Sequence, residues 1–163
     1  MDRIDTRAAR RLFLQAHALM DRPAGPGKGA DLAALVHRLG FVQVDSVNTL
    51  ARAHDLILWS RRPAYRPAHL RALNDRDRAT FEHWTHDASV IPVGFFPQWR
   101  LRFARDRERL RRRWKDWHGS AFHDEIDTVL RHVTAHGPVH SAEIGGPRPE
   151  KSTGWWDWHP SKT

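Results

Sequence analysis

The chain has 163 residues and no cysteine, which excludes disulfides, thiol nucleophiles and thiolate zinc sites. At 40% hydrophobic and 28% charged residues it can build a packed core, and no apolar run approaches the roughly 20 residues that span a bilayer. Its net charge is +8 and only four of its 27 cations are lysine; an arginine bias of this kind suits phosphates and base edges, although a GC-rich genome produces it too.

The charged start, Met1 to Arg7, opens no signal-type apolar stretch, so the cytoplasm is the expected compartment. A first helix is predicted from Asp5 to about Met20, with Leu12, Phe13, Ala16, Leu19 and Met20 on one face and Asp5 or Thr6 as its cap. The run Pro23-Ala-Gly-Pro-Gly-Lys-Gly29 ends it. That run lacks the phosphate-loop spacing, follows no strand and has no hydroxyl after Lys28, so it reads as a flexible connector. Asp31 is expected to cap a second helix over residues 32–39, closed by Gly40. Phe41 to Asp45 reads as a short strand, and Ser46 as the cap of a third helix burying Val47, Leu50, Ala51 and Leu58.

From residue 61 to 97 four prolines punctuate an irregular pattern that holds a short helix near residues 68–73. A long helix over about 98–117 carries an apolar stripe of Trp99, Phe103, Leu110, Trp114 and Trp117, with eight arginines between Arg100 and Arg113. These arginines, Arg111 and Arg112 among them, form either a phosphate-contacting face or an ordinary solvated one. Another helix over 122–135 buries Ile126, Val129, Leu130 and Val133 and stops at Gly137-Pro138. The tail, with Trp155, Trp156 and Trp158 close together, reads as the start of a further module that stops early.

The sharpest chemical pair is Gln43 and Asp45. On a strand they share one face, with Cα atoms about 6.6 Å apart, while Val42 and Val44 face the core. A carboxamide and a carboxylate so placed can hold a water, take its proton and stabilise a cationic transition state. The plainer alternative is a polar strand edge where Asp45 helps Ser46 cap the next helix. Arg52, Arg61 and Arg62 flank the following helix, where cations can anchor a phosphate backbone against that site. No metal is expected: His132, His136 and His140 are split by Gly137-Pro138, and His83 and His86 belong to no His-Glu-x-x-His motif.

Five stretches then match in order: Gly40 to Asn48; Arg52-Ala-His-Asp55 with Leu58-Trp-Ser-Arg61; His83 to Ser89 with Ile91-Pro92; Gly137 to Ser141; and Gly154 to Trp158 with Pro160-Ser-Lys162. Together they resemble the crosslink-repair, winged-helix DNA glycosylases of the YcaQ/AlkZ-like family. The resemblance implies a mainly α fold with short β strands. It would consist of a winged-helix (helix-turn-helix) part over residues 1–62 carrying Gln43-Val44-Asp45, a helical segment over 63–120, and an incomplete second winged helix over 121–163. It further implies a monomer acting on double-stranded DNA without metal or organic cofactor, near the nucleoid. The reaction it implies is hydrolysis of the N-glycosidic bond of N7-alkylated purines, with crosslinks unhooked. Asp45 and Gln43 are the implied catalytic pair, and His54 and His86 join Arg52, Arg61, Arg62, Arg111 and Arg112 as DNA contacts. Members are more than twice as long, so a truncated N-terminal portion is expected. A non-catalytic winged-helix DNA-binding protein or regulator is the competing reading.

Overall fold

The structure, a computed structural model, describes residues 3–118, 121–139 and 143, with side chains over 3–113, 126–139 and 143. It is mainly helical with a three-stranded sheet, the class expected, and divides into two compact units between Trp99 and Arg100. The first unit runs α1 (Thr6–Ala16), α2 (Gly29–Leu39), β1 (Val42–Gln43), α3 (Ala53–Arg61), α4 (Pro67–Asp75), β2 (Thr80–Trp84) and β3 (Ala88–Pro92). From α2 onward this is the element order of a winged helix, with α3 and α4 as the helix-turn-helix pair and the β2–β3 hairpin as the wing.

The sheet is antiparallel in the order β1-β3-β2, with Val42 opposite Val90 and Gln43 opposite Ser89. A single core joins its inner face to the helices. Leu32, Leu35 and Val36 of α2, Leu58 of α3, and Leu70 and Leu73 of α4 pack with Tyr65, Val42 and Val90. Since β1 pairs with β3, this unit crosses the boundary expected at residue 62. The stretch expected to be irregular holds α4, β2 and β3, because Pro67 sits in the first turn of α4, where no backbone donor is lost.

Three local expectations are corrected. α1 ends at Ala16, and Leu12, Phe13, Ala16, Leu19 and Met20 are all exposed. Its anchor to the core is Ala18 in the turn beyond, together with the Arg61 guanidinium on the His17 carbonyl at 2.9 Å. Second, α2 begins at Gly29, and Asp31 lies in its first turn. The Asp31 carboxylate reaches back to the Gly27 amide (2.8 Å) and across to Arg62 Nε (2.9 Å), so the run of breakers is tied down. Gly27 is buried at φ +61, and a Cβ there would lie 2.8 Å from the Tyr65 amide nitrogen; only glycine fits.

Third, no helix begins at Ser46. α3 starts at Ala53, and Val47 (66% exposed) and Leu50 (90%) lie outside the core. The Asp45 side chain bonds the local backbone and so competes with helix formation there.

In the second unit α5 (Phe96–His118) continues from Arg100, and α6 (Ala121–His136) ends before Gly137 at φ +83. Asp106 bridges Arg102 (3.5 Å) and Arg109 (2.9 Å) on α5. Leu110, Leu130 and Val133, expected inside, are exposed, whereas Phe103, Ile126 and Val129 are half-buried. The side chains of Trp114 and Trp117 and the expected tail strand lie outside the described residues.

Candidate functional site

The alternation expected of the Gln43–Asp45 segment is present. Val42 is buried, Val44 packs against the core, and Gln43 between them is exposed. The backbone stays extended past the formal strand, since the Val44 amide donates to the Ala88 carbonyl at 2.7 Å. Asp45, half-buried, therefore begins the departure from the sheet. Its Oδ1 accepts the Val47 amide at 2.8 Å, which fixes the carboxylate, while Oδ2 accepts no hydrogen bond among the described residues. One oxygen is held and the other is available. That is the arrangement a carboxylate needs to present a fixed charge or to receive a proton.

A polar chain stands behind Asp45. The Asp45 amide donates to His54 Nδ1 at 3.1 Å, so Nδ1 is unprotonated and the hydrogen of the neutral ring sits on Nε2. His54 Nε2 lies 3.9 Å from Asp55 Oδ2, and Asp55 Oδ1 accepts the Tyr65 hydroxyl at 2.6 Å. His54 and Tyr65 are both buried. Burial and the adjoining Asp55 carboxylate push the Tyr65 phenol above its usual range. These four residues come from the loop after β1, the first turn of α3 and the α3–α4 connection, and they lock those segments together. Asp55 falls in a matched stretch of the sequence without being given a role there, and Tyr65 escaped the sequence reading, although the chain's single tyrosine was visible.

The expected DNA contacts divide sharply. Arg52, at the head of α3, is exposed, and its guanidinium group has no hydrogen bond or ion pair among the described residues. His86 is exposed at the tip of the β2–β3 turn, and Arg111 and Arg112 are exposed on α5. The other three are already occupied. His54 is buried behind Asp45. Arg61 is buried, with its guanidinium on the His17 and Ile57 carbonyls and the Ser60 hydroxyl, and desolvation lowers its pKa. Arg62 is half-buried against Asp31. These side chains are engaged in holding the scaffold.

Among the described residues no three histidines or carboxylates converge to hold a metal ion, and no helix is long and apolar enough to cross a membrane. A family model described as DNA glycosylase AlkZ-like matches residues 36–163, a span that opens inside α2 and takes in Gln43 and Asp45. No solved structure matches the chain.

Proposed function

Starting from a chain that belongs to the AlkZ-like DNA glycosylase family, we propose that it hydrolyses the N-glycosidic bond of N7-alkylated purines in double-stranded DNA and unhooks crosslinks made through that nitrogen. The observation that carries this reading is the Asp45 carboxylate, pinned at Oδ1 by the Val47 amide, unengaged at Oδ2 among the described residues, and two residues along the chain from the exposed Gln43.

Alkylation at N7 leaves the purine ring cationic. When the bond from C1′ to the base breaks, its electron pair moves to the base and neutralises it, so departure requires no strong general acid. The sugar becomes oxocarbenium-like, and a fixed carboxylate stabilises that charge as it does in glycoside hydrolysis. Water adds its oxygen to C1′ and gives up one proton, which Asp45 takes and passes to solvent. Gln43 orients the water through its amide. The products are a neutral free base, an abasic site and one proton. This chemistry calls on no metal or organic cofactor, and it requires one copy of the chain working on nucleoid DNA.

A second reading, a DNA-binding protein without catalysis, draws on the helix-turn-helix pair and the exposed wing residue His86. Incubation with duplex containing N7-methylguanine separates the two. The wild-type chain should leave abasic sites, and Asp45→Asn should slow their formation by about 10²- to 10⁴-fold with DNA affinity retained. Equal rates for the two would remove Asp45 from the chemistry. Tight binding with no base release from either would favour the non-catalytic reading.

A further inference from the structure

A cleft of about 640 Å³ lies on the first unit between residues 48–52, α3 and the start of α4. Its walls combine apolar and cationic surface. Trp59 (53% exposed), Leu56 and Leu50 offer apolar surface to solvent. Arg52 and Arg71 also line it, and neither guanidinium group has a hydrogen bond or ion pair among the described residues. Arg66, the third arginine, is steadied by its own bond to the Tyr65 carbonyl at 2.7 Å. The one acid in the wall, Asp55, is engaged by the Tyr65 hydroxyl. An exposed indole beside unpaired guanidinium groups suits a ligand with a flat π-face and a phosphate, which is a nucleotide.

Position says which nucleotide. Asp55 lies 3.9 Å from His54 Nε2, and His54 Nδ1 lies 3.1 Å from the Asp45 amide, so a single imidazole ring stands between cleft wall and Asp45. Successive nucleotides rise by about 3.4 Å along the helix axis. A strand with its reacting sugar at Asp45 therefore brings a nucleotide a few positions along the same strand to the cleft. We propose that the cleft formed by Arg52, Trp59, Arg66 and Arg71 seats a nucleotide flanking the damaged one within a few positions, stacking its base on Trp59 and holding its phosphate with the arginines. The assignment to a flanking position rests on the glycosylase reading; the nucleotide chemistry of the cleft does not.

The test measures binding of the full chain to a labelled duplex containing one tetrahydrofuran abasic analogue, across a salt series, beside a titration with free deoxyadenosine monophosphate. Stacking predicts that Trp59→Ala weakens duplex binding by about 5- to 100-fold with the salt slope unchanged, and that Trp59→Phe recovers most of it. Arg71→Ala should instead flatten the slope of log affinity against log salt by about one. Trp59→Ala and Arg71→Ala variants that bind and respond to salt as wild type does would overturn the proposal, as would Trp59→Ala binding no worse than Trp59→Phe. Monophosphate binding as tight as duplex binding, and lost equally in Trp59→Ala, would make the cleft a mononucleotide site and overturn its assignment to a strand. Failure of the parent reading looks different: the cleft variants behave as predicted, yet the wild-type chain releases no base from N7-methylguanine duplex.

Discussion

Two connecting segments of the first unit behave in opposite ways, and each reverses its sequence. Residues 23–29, a string of prolines and glycines, have the composition of a flexible linker. They are fixed by contacts from distant elements, with the Gly27 amide on Asp31, the Gly27 carbonyl 2.9 Å from His69 Nδ1, and Arg62 closing over the same carboxylate. Residues 46–52, with Val47, Leu50 and Ala51 at helical spacing, have the composition of a helix. They form neither helix nor strand and are largely exposed, and the side chain at their root, Asp45, bonds their backbone. Order follows the partners a segment finds across the fold more than its own propensity. The loosely held segment is also the one between the candidate catalytic carboxylate and the arginine-lined cleft, where adaptability to a ligand has a use.

The strongest way to break this contrast is Gly27→Ala. The new methyl group meets the Tyr65 backbone at φ +61, so neither side-chain rotation nor a small shift relieves it. Strain and overpacking together should cost about 2–5 kcal/mol, read as a lowered urea midpoint at constant slope. Gly40→Ala supplies the internal control. Gly40 also has positive φ, +85, but nothing lies within 4 Å of its added Cβ, so only backbone strain of about 1–3 kcal/mol applies. Equal losses at the two positions would show that residues 23–29 are not packed as described.

Next in size is His54, a buried side chain that ties the base of the 46–52 segment to α3. His54→Leu leaves the Asp45 amide without its acceptor and should cost about 1–3 kcal/mol, with faster hydrogen exchange at that amide. His54→Asn places an amide oxygen near the former Nδ1 and should restore much of the exchange protection. If leucine and asparagine protect Asp45 equally, the histidine is a space-filling residue and Asp45 owes its position to the strand alone.

Tyr65 gives a smaller effect that depends on pH. Its folded pKa is raised above the unfolded value of about 10, so above that pH the unfolded chain loses a proton that the folded chain keeps. Stability linked to this phenol is fully present below pH 10 and falls beyond it, by up to about 1.4 kcal/mol per pH unit. Melting temperatures at pH 9 and 11 should diverge in the wild-type chain and converge in Tyr65→Phe. An unchanged gap in the variant would place the alkaline loss elsewhere.

What could be read in advance was local. The alternation at Val42, Gln43 and Val44 needs only the two-residue period of a strand, and Gly40 closing α2 needs only its φ. The β2–β3 hairpin was missed because Phe81-Glu-His-Trp84 alternates weakly and its turn is Thr85-His86-Asp87, with no glycine. Its stability comes from side chains that bond the turn, the Thr85 and Ser89 hydroxyls at 2.8 Å and the Asp87 carboxylate on the Ala88 amide. Arg61 and His54 were expected at the surface because charge and polarity argue for solvent. Both are buried because partners satisfy them, the Asp45 amide for His54 and, for Arg61, a carbonyl far off in sequence. The His17 carbonyl is 44 residues from Arg61, and nothing in its neighbourhood announces that pairing. The candidate catalytic pair was thus legible, whereas the support that holds it was not.

The smallest expected effect sharpens the contrast from the other side. Leu50 is 90% exposed, so Leu50→Ser removes almost no buried apolar surface and leaves no cavity behind. Its cost in unfolding free energy should stay within about 0.5 kcal/mol, even though a leucine at helical spacing from Val47 and Leu58 looks like core in the sequence. Urea denaturation of the variant beside Gly27→Ala checks this directly. A loss above about 1 kcal/mol would mean that residues 46–52 bury Leu50 in the folded chain and are held as firmly as residues 23–29. A neutral result together with weaker duplex binding would assign Leu50 to the ligand it lines the cleft for, because the same exposed side chain can cost nothing in the free protein and still be covered when a base stacks beside it.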